Sequence, residues 1–198
     1  MKNRIILIHL CYDFYSLLFI LKPRKGCMIA KSLKSYLYGK HEDMPYNPTT
    51  IANYFIDKYA GRGKMTPMKV IQLTYLAYGW YLAINNKKRL TDESPIAWDF
   101  GPCFSSLFFS LKAYGKLEIK RKLPNLIGNS RIASDDKHFL DQIWNIYGRF
   151  EGSYLCRMIQ RKDTALKKAY SKEGNLVISD ADLYEYYKNK MQTAQSSN

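Results

Sequence analysis

The residue types that carry chemistry are few in this chain, and they are dispersed. There are three histidines and four cysteines in 198 residues. His9, His41 and His138 stand far apart, and none has a nucleophile or a metal-ligand partner at motif spacing, as general-base chemistry would need. Cys11, Cys27, Cys103 and Cys156 form no Cys-x-x-Cys pair. His9 lies two residues before Cys11, but no second ligand pair accompanies it, which argues against zinc and against a disulfide framework. Free thiols of this kind fit a reducing cytoplasm. The acidic residues are separated, and no Gly-rich phosphate loop is present. No catalytic residue, metal or cofactor is expected, and the chain reads as a binding protein and not an enzyme.

Residues suited to binding cluster between Met65 and Pro102. One group, Tyr75, Tyr78 and Trp80, lies on a single helical segment. It is either a recognition cluster or a core stripe whose hydroxyls bond at its edge, and the core is the favoured of the two. The other group is Trp98-Asp99-Phe100-Gly101-Pro102. Gly-Pro after two aromatics sets a tight turn that either presents Trp98 and Phe100 to a partner or packs Trp98 against the central helix. Buried packing is favoured there too, because Trp is highly buried on average. Lys69 and Gln72, polar positions one turn apart, line a small pocket or, as is commoner, form the helix's wet edge.

The elements that must position these groups are mostly helical. Asn47-Pro48 is a capping Asn followed by Pro at the first helical position, and Ile51, Tyr54, Phe55 and Tyr59 recur on one face. Gly61 and Gly63 end that helix. Thr66-Pro67 opens a second one, over 67–84, apolar on nearly all sides and therefore expected at the centre of a domain. Residues 90–102 read as extended. A helix over 104–114 follows, with Leu107, Phe108, Leu111 and Tyr114 inward. A short hairpin is expected within 117–133, pairing Leu117-Glu118-Ile119 with Arg131-Ile132. Ser134-Asp135-Asp136 starts a helix to Arg149. Ser153 caps another to Arg161, Ala165 to Tyr170 add a further turn or two, and Ser179-Asp180 starts the last. The fold class expected is mainly α: a compact multi-helix single domain with at most a small β-hairpin.

Composition bounds the partners. A 46% hydrophobic fraction suffices for a core, and 17 Tyr suit both core edges and binding faces. The formal net charge of +14 implies attraction to something acidic. Its clusters, such as Lys87-Lys88-Arg89 and Lys120-Arg121-Lys122, are scattered, so a solvated basic surface is favoured over a nucleic-acid site. Up to position 43 the chain carries eight basic and three acidic residues. Within that stretch Ile5–Leu21 is mostly apolar, yet short for a membrane span and interrupted by His9 and Asp13. The favoured reading places the true start at Met28 or Met44, with an amphipathic membrane-associating helix as the alternative.

The order of motifs from Thr66-Pro67-x-Lys69, through Leu73 to Ala83 (Leu-Thr-Tyr-Leu-Ala-Tyr-Gly-Trp-Tyr-Leu-Ala), to Pro95–Pro102 (Pro-Ile-Ala-Trp-Asp-Phe-Gly-Pro) resembles the Panacea domain. This is the SocA-like antitoxin family, also called phage-associated proteins. Leu140-Asp141-x-Ile143-Trp144-x-x-Tyr147-Gly148 and the closing Leu183-x-x-Tyr186-Tyr187 extend the likeness. It covers a domain over 44–190, leaving an N-terminal extension, 1–43, and a flexible tail, 191–198. It implies a cytoplasmic, helical antitoxin of a type II toxin–antitoxin system, which neutralises a cognate protein toxin encoded nearby by direct contact. One branch is similar to adaptors that deliver the toxin to a protease, so a protease is a further implied partner. The contact candidates are Tyr75, Tyr78, Trp80, Trp98, Asp99, Phe100, Gly101 and Pro102. Where the family carries Ser, Thr and His after the Tyr-Gly helix, this chain has Cys156, Ile159 and Gln160, and its Pro-Trp place holds Ala165-Leu166. These departures put partner choice in doubt. The alternative function is a nucleic-acid-binding regulator of a mobile element or phage; a membrane partner is not expected.

Overall fold

The computed structural model describes residues 44–124, 131–161, 164–170 and 176–196. Contacts divide the chain at Pro45/Tyr46, and the architecture below is that of the unit beginning at Tyr46. The readings placed on residues 1–43 lie outside the described residues.

Helix α1 spans Pro48–Tyr59, and the Asn47 side chain accepts from the Thr49 amide at 2.9 Å. A 3-10 turn, Ala60–Arg62, leads through Gly63 to α2, Pro67–Ile84, capped by the Thr66 hydroxyl. Helix α2 is the axle of the fold. Val70, Leu73, Thr74, Tyr78 and Leu82 are fully buried, and α2 touches α1 and every longer element that follows it. Asn86 at φ +50 and Lys87 at φ +71 turn the chain out of α2, with the Lys87 amide donating to Leu82 O at 2.8 Å.

Strands β1, Ile96–Trp98, and β2, Gly101–Cys103, pair antiparallel with Trp98 opposite Gly101. Helix α3 is Ser105–Leu111 and continues as a 3-10 turn to Tyr114. Helix α4 is Ser134–Tyr147, α5 Gly152–Ile159, α6 Ala165–Tyr170 and α7 Asp180–Ser196. The described residues are mainly α with a small antiparallel hairpin, as the sequence implied. The hairpin, however, lies at 96–103. In the expected segment the Ile119 amide donates to Met65 O at 2.7 Å and Leu123 exchanges two bonds with the Asn53 side chain, so these backbone groups pair with α1 and the turn after it and not with Arg131-Ile132; its tip, 125–130, lies outside the described residues.

Three further expectations change. Helix α5 starts at Gly152, after Glu151 and not under a Ser153 cap, and Gly152 packs close to α2, where a Cβ would stand 2.6 Å from the Lys69 backbone nitrogen. The last helix runs on to Ser196. Lys69 and Gln72 are buried, at 3% and 2% exposure, and do not form a wet edge.

Polar staples tie the helices together. Asp141 of α4 accepts from Tyr54 at 2.7 Å, Tyr59 at 2.5 Å and Lys58 at 2.7 Å, all on α1. Burial alone would raise the Asp141 pKa; the Lys58 ammonium and the Tyr59 and Tyr54 hydroxyls outweigh it and hold the carboxyl below its ordinary range. Asp136 likewise accepts from Tyr46 at 2.7 Å and Tyr81 at 2.9 Å. Among the described residues no helix is long and apolar enough to cross a membrane.

Candidate interaction surface at the hairpin tip

The three α2 candidates lie inside the domain. Tyr75 is 2% exposed, Tyr78 0% and Trp80 4%. The Tyr78 hydroxyl donates to Asp180 at 2.5 Å and accepts from Arg89 at 3.1 Å, and its ring meets Phe104 edge-on. Burial, then Asp180, push its pKa well up. The Trp80 indole donates to the Tyr147 hydroxyl at 2.9 Å. These rings are core, with the polar ends of Tyr78 and Trp80 bonded inside the domain, so they do not meet a partner at the surface: an apolar helix in the middle of a domain has no free face.

The second group is at the surface. Asp99 and Phe100 form the two-residue turn, and Gly101 follows at φ +104, on the side of the backbone map that glycine tolerates. Gly101 and Pro102 are buried beneath the turn, and Asp99 and Phe100 project, Phe100 being 75% exposed. Trp98 is half-buried, and its ring packs on Phe108 of α3, 4.4 Å between centroids. Strand alternation turns Ala97 into the core and leaves Ile96 and Trp98 on the outer face. Val177, opposite Ile96 in an antiparallel bridge, extends that face, and the Ala97 amide donates to Leu176 O at 2.7 Å.

The surface is wider than the sequence suggested. Phe109, expected nowhere in particular, is 70% exposed, and its ring meets Phe108 at 5.9 Å. The adjacent pair Phe108-Phe109 on a short helix was the available signal, since two neighbours 100° apart cannot both face one core. Leu176 and Val177, 48% and 44% exposed, became visible only when their segment joined β1. Exposed aromatics on a hairpin and on the helix packed beside it have the composition of an interaction site.

The tip is held from beneath. The Cys156 thiol donates to Phe100 O at 3.0 Å, and Gln160 Nε2 donates to Asp99 O at 3.1 Å. Burial raises the Cys156 pKa, only partly offset by Arg157, so the donor is a thiol and not a thiolate. Two of the positions at which the chain departs from the Panacea-like pattern are thus the ones that touch the turn. Ala165 and Leu166, at the other departure, are buried in the core. On the far side of the turn, Glu93 accepts from the Ser105 and Ser106 amides and fixes the start of α3. Arg157 and Lys167 are exposed nearby, and Lys167 lies over the Tyr170 ring at 5.7 Å. Burial and then the Asp99 carboxylate raise the Tyr170 pKa.

Chemically this arrangement offers apolar area, the exposed Asp99 carboxylate, the exposed cations Arg157 and Lys167, and two backbone carbonyls already engaged. Among the described residues no three His, Cys, Asp or Glu side chains are grouped to hold a metal ion. Compared with known proteins, the chain matches no family model, no curated protein and no solved structure.

Proposed function

We propose that this chain is the neutralising half of a toxin–antitoxin pair, acting in the cytoplasm by covering a protein toxin with its hairpin surface. The observation that carries the reading is Phe100: a large apolar ring 75% exposed at the end of a turn bonded to the domain beneath it. Leaving such a ring in water forgoes roughly 2 kcal/mol of burial, a cost that a partner's pocket would recover. Trp98 and Phe109 supply the flanking area, and Arg157 and Lys167 favour an acidic partner and speed encounter. The Panacea-like motif order supports the same reading, because the tip is its Trp98–Pro102 block.

A nucleic-acid regulator is supported less well. Lys87 and Lys188 each lie 4.9 Å from the Tyr184 ring, but Tyr184 is itself buried at 7% exposure and offers no face on which a base could stack. The test is co-expression. The neighbouring open reading frame is induced with and without this chain, and growth is scored. Restored growth that is lost in Phe100→Ala or Trp98→Ala, at unchanged protein level, supports the proposal. A neighbour that is harmless, or whose toxicity this chain leaves untouched, removes it, and salt-dependent nucleic-acid binding becomes the next measurement.

A further inference from the structure

Two three-residue strands do not hold a turn rigid by themselves; isolated hairpins are marginal in water. The strands are held by Leu176–Ile178 beside them and by Phe108, and the two turn residues themselves are held by α5 and the residue that caps it. Cys156 lies on α5, and Gln160, four residues on, is the C-cap whose amide still bonds Cys156 O, so their side chains leave the same side of the helix end. Each donates to the carbonyl of one of the two turn residues, Cys156 to Phe100 at 3.0 Å and Gln160 to Asp99 at 3.1 Å. Gly101 closes the arrangement: a Cβ there would stand 3.3 Å from both Cys156 Sγ and Gln72 Nε2, so the turn rests directly on α5 and α2.

We propose that Cys156 and Gln160 are positioning residues that clamp the two turn peptides and so fix the direction in which Phe100 is presented. The clamp's effect on a partner rests on the contact reading above; its effect on the turn does not. Fixing both peptide planes fixes the Cα–Cβ vector of Phe100 between them. Without the clamp the turn samples several orientations, and a partner must order it on binding, an ordering cost of about tenfold in affinity. Neither side chain has to touch the partner. Any small donor at position 156 serves, because the bond is to a backbone carbonyl.

The experiment uses the full chain and three variants: Cys156→Ala/Gln160→Ala, Cys156→Ser/Gln160→Ala, and Phe100→Ala. Amide hydrogen exchange at Trp98 and Gly101, the paired residues that close the turn, with acrylamide quenching of the half-exposed Trp98, reads the turn without any partner. The expected result is faster tip exchange and stronger quenching in the double-alanine variant, with a melting temperature within a few degrees of wild type. Protection should return substantially in the Cys156→Ser/Gln160→Ala variant. Co-expression with the neighbouring toxin should then show rescue weakened by the double-alanine variant and restored in part by serine. Gln160 is part-exposed, so Gln160→Ala alone stands in should the Cys156 change unfold the domain. Tip exchange that is unchanged in every variant overturns the clamp. A loosened tip with full rescue, in a pair where Phe100→Ala abolishes rescue, overturns its role in presentation. Full rescue by Phe100→Ala strikes the contact reading instead, and the exchange data still decide the clamp.

Discussion

Lys69 poses a question of which force wins. Its side chain is buried at 3% exposure, its ammonium donates to Gly148 O at 2.6 Å, and it lies 5.1 Å from the centre of the Trp144 ring. Gly148 is the cap of α4, so the carbonyl belongs to the negative end of that helix. Burial nonetheless lowers the Lys69 pKa, with Glu151 opposing, so the charged form is worse off here than in water. Lys69→Met keeps the stem and removes the charge. It forfeits a charged hydrogen bond of about 1.5–3 kcal/mol and a cation–π contact of about 0.5–2 kcal/mol. It regains a desolvation penalty of several kcal/mol, about the same size. Lys69→Ala regains the same penalty but also removes three buried methylenes at about 0.8 kcal/mol each and leaves a cavity. The expectation at pH 7 is therefore a methionine variant within about 1 kcal/mol of wild type and an alanine variant about 3 kcal/mol less stable. Urea denaturation measures both. The sign with pH follows from the lowered pKa. Between the folded value and the ordinary 10.5, the unfolded chain binds more protons, so wild-type stability rises with pH through that window. The methionine variant lacks this gain, and the difference between the two must move toward wild type from pH 7 to pH 10. The tyrosines, whose raised pKa values act the opposite way, are common to both and cancel. Equal losses for methionine and alanine would refute the reasoning, because the ammonium's bonds and not its stem would then hold the site.

Other perturbations follow from the same geometry. Asp141→Asn removes the charge that three α1 side chains share, and should cost about 1–2 kcal/mol by chemical denaturation, its partial exposure keeping the figure low. Because the Asp141 pKa is depressed, its stabilisation is complete above the unfolded carboxylate value near 3.8 and is lost as pH falls through the folded one. Wild type should therefore lose stability more steeply than Asp141→Asn below about pH 4, and parallel acid-unfolding curves would count against the staple. Gly79→Ala sits mid-helix, where alanine ordinarily stabilises by about 1 kcal/mol, yet its Cβ would collide with the buried Tyr187 ring. The expected result is destabilisation by about 2 kcal/mol or more, read as a fall in melting temperature, and a rise would deny the α2–α7 contact. Tyr78→Phe deletes the donor to Asp180 and should cost about 1–2 kcal/mol while leaving toxin rescue intact at matched protein levels. Rescue lost without loss of stability would return Tyr78 to the contact surface.

Much of the fold was legible because it rests on local chemistry. Asn47-Pro48 and Thr66-Pro67 cap the helices they were expected to cap, through side-chain oxygens bonding amides two or three residues on. Helix α2 spans 67–84 as its nearly all-round apolar pattern implied, and Phe139, Ile143, Trp144 and Tyr147 all face inward at helical spacing. The turn at Asp99-Phe100 followed from Gly101-Pro102. What local pattern cannot supply is depth and partnership. Tyr75, Tyr78, Trp98 and Phe100 are the same class of residue in sequence; only packing buries the first two and leaves Phe100 in solvent. Lys69 read as a wet edge because nothing nearby in sequence accepts its charge; its acceptor, Gly148, is 79 residues away. The hairpin was assigned to the wrong segment for a similar reason: strand pairing at 96–103 depends on α2 beneath it and on Leu176–Ile178 beside it, neither of which is local. Cys156 and Gln160 looked like losses against the resemblance until α5 placed their donors on the turn carbonyls. The helices, their caps and the turn are readable along the chain because the forces that make them act within a few residues. Which aromatic reaches solvent, and what holds it there, follows only from packing, because burial and long-range hydrogen bonds exist only once the elements have met.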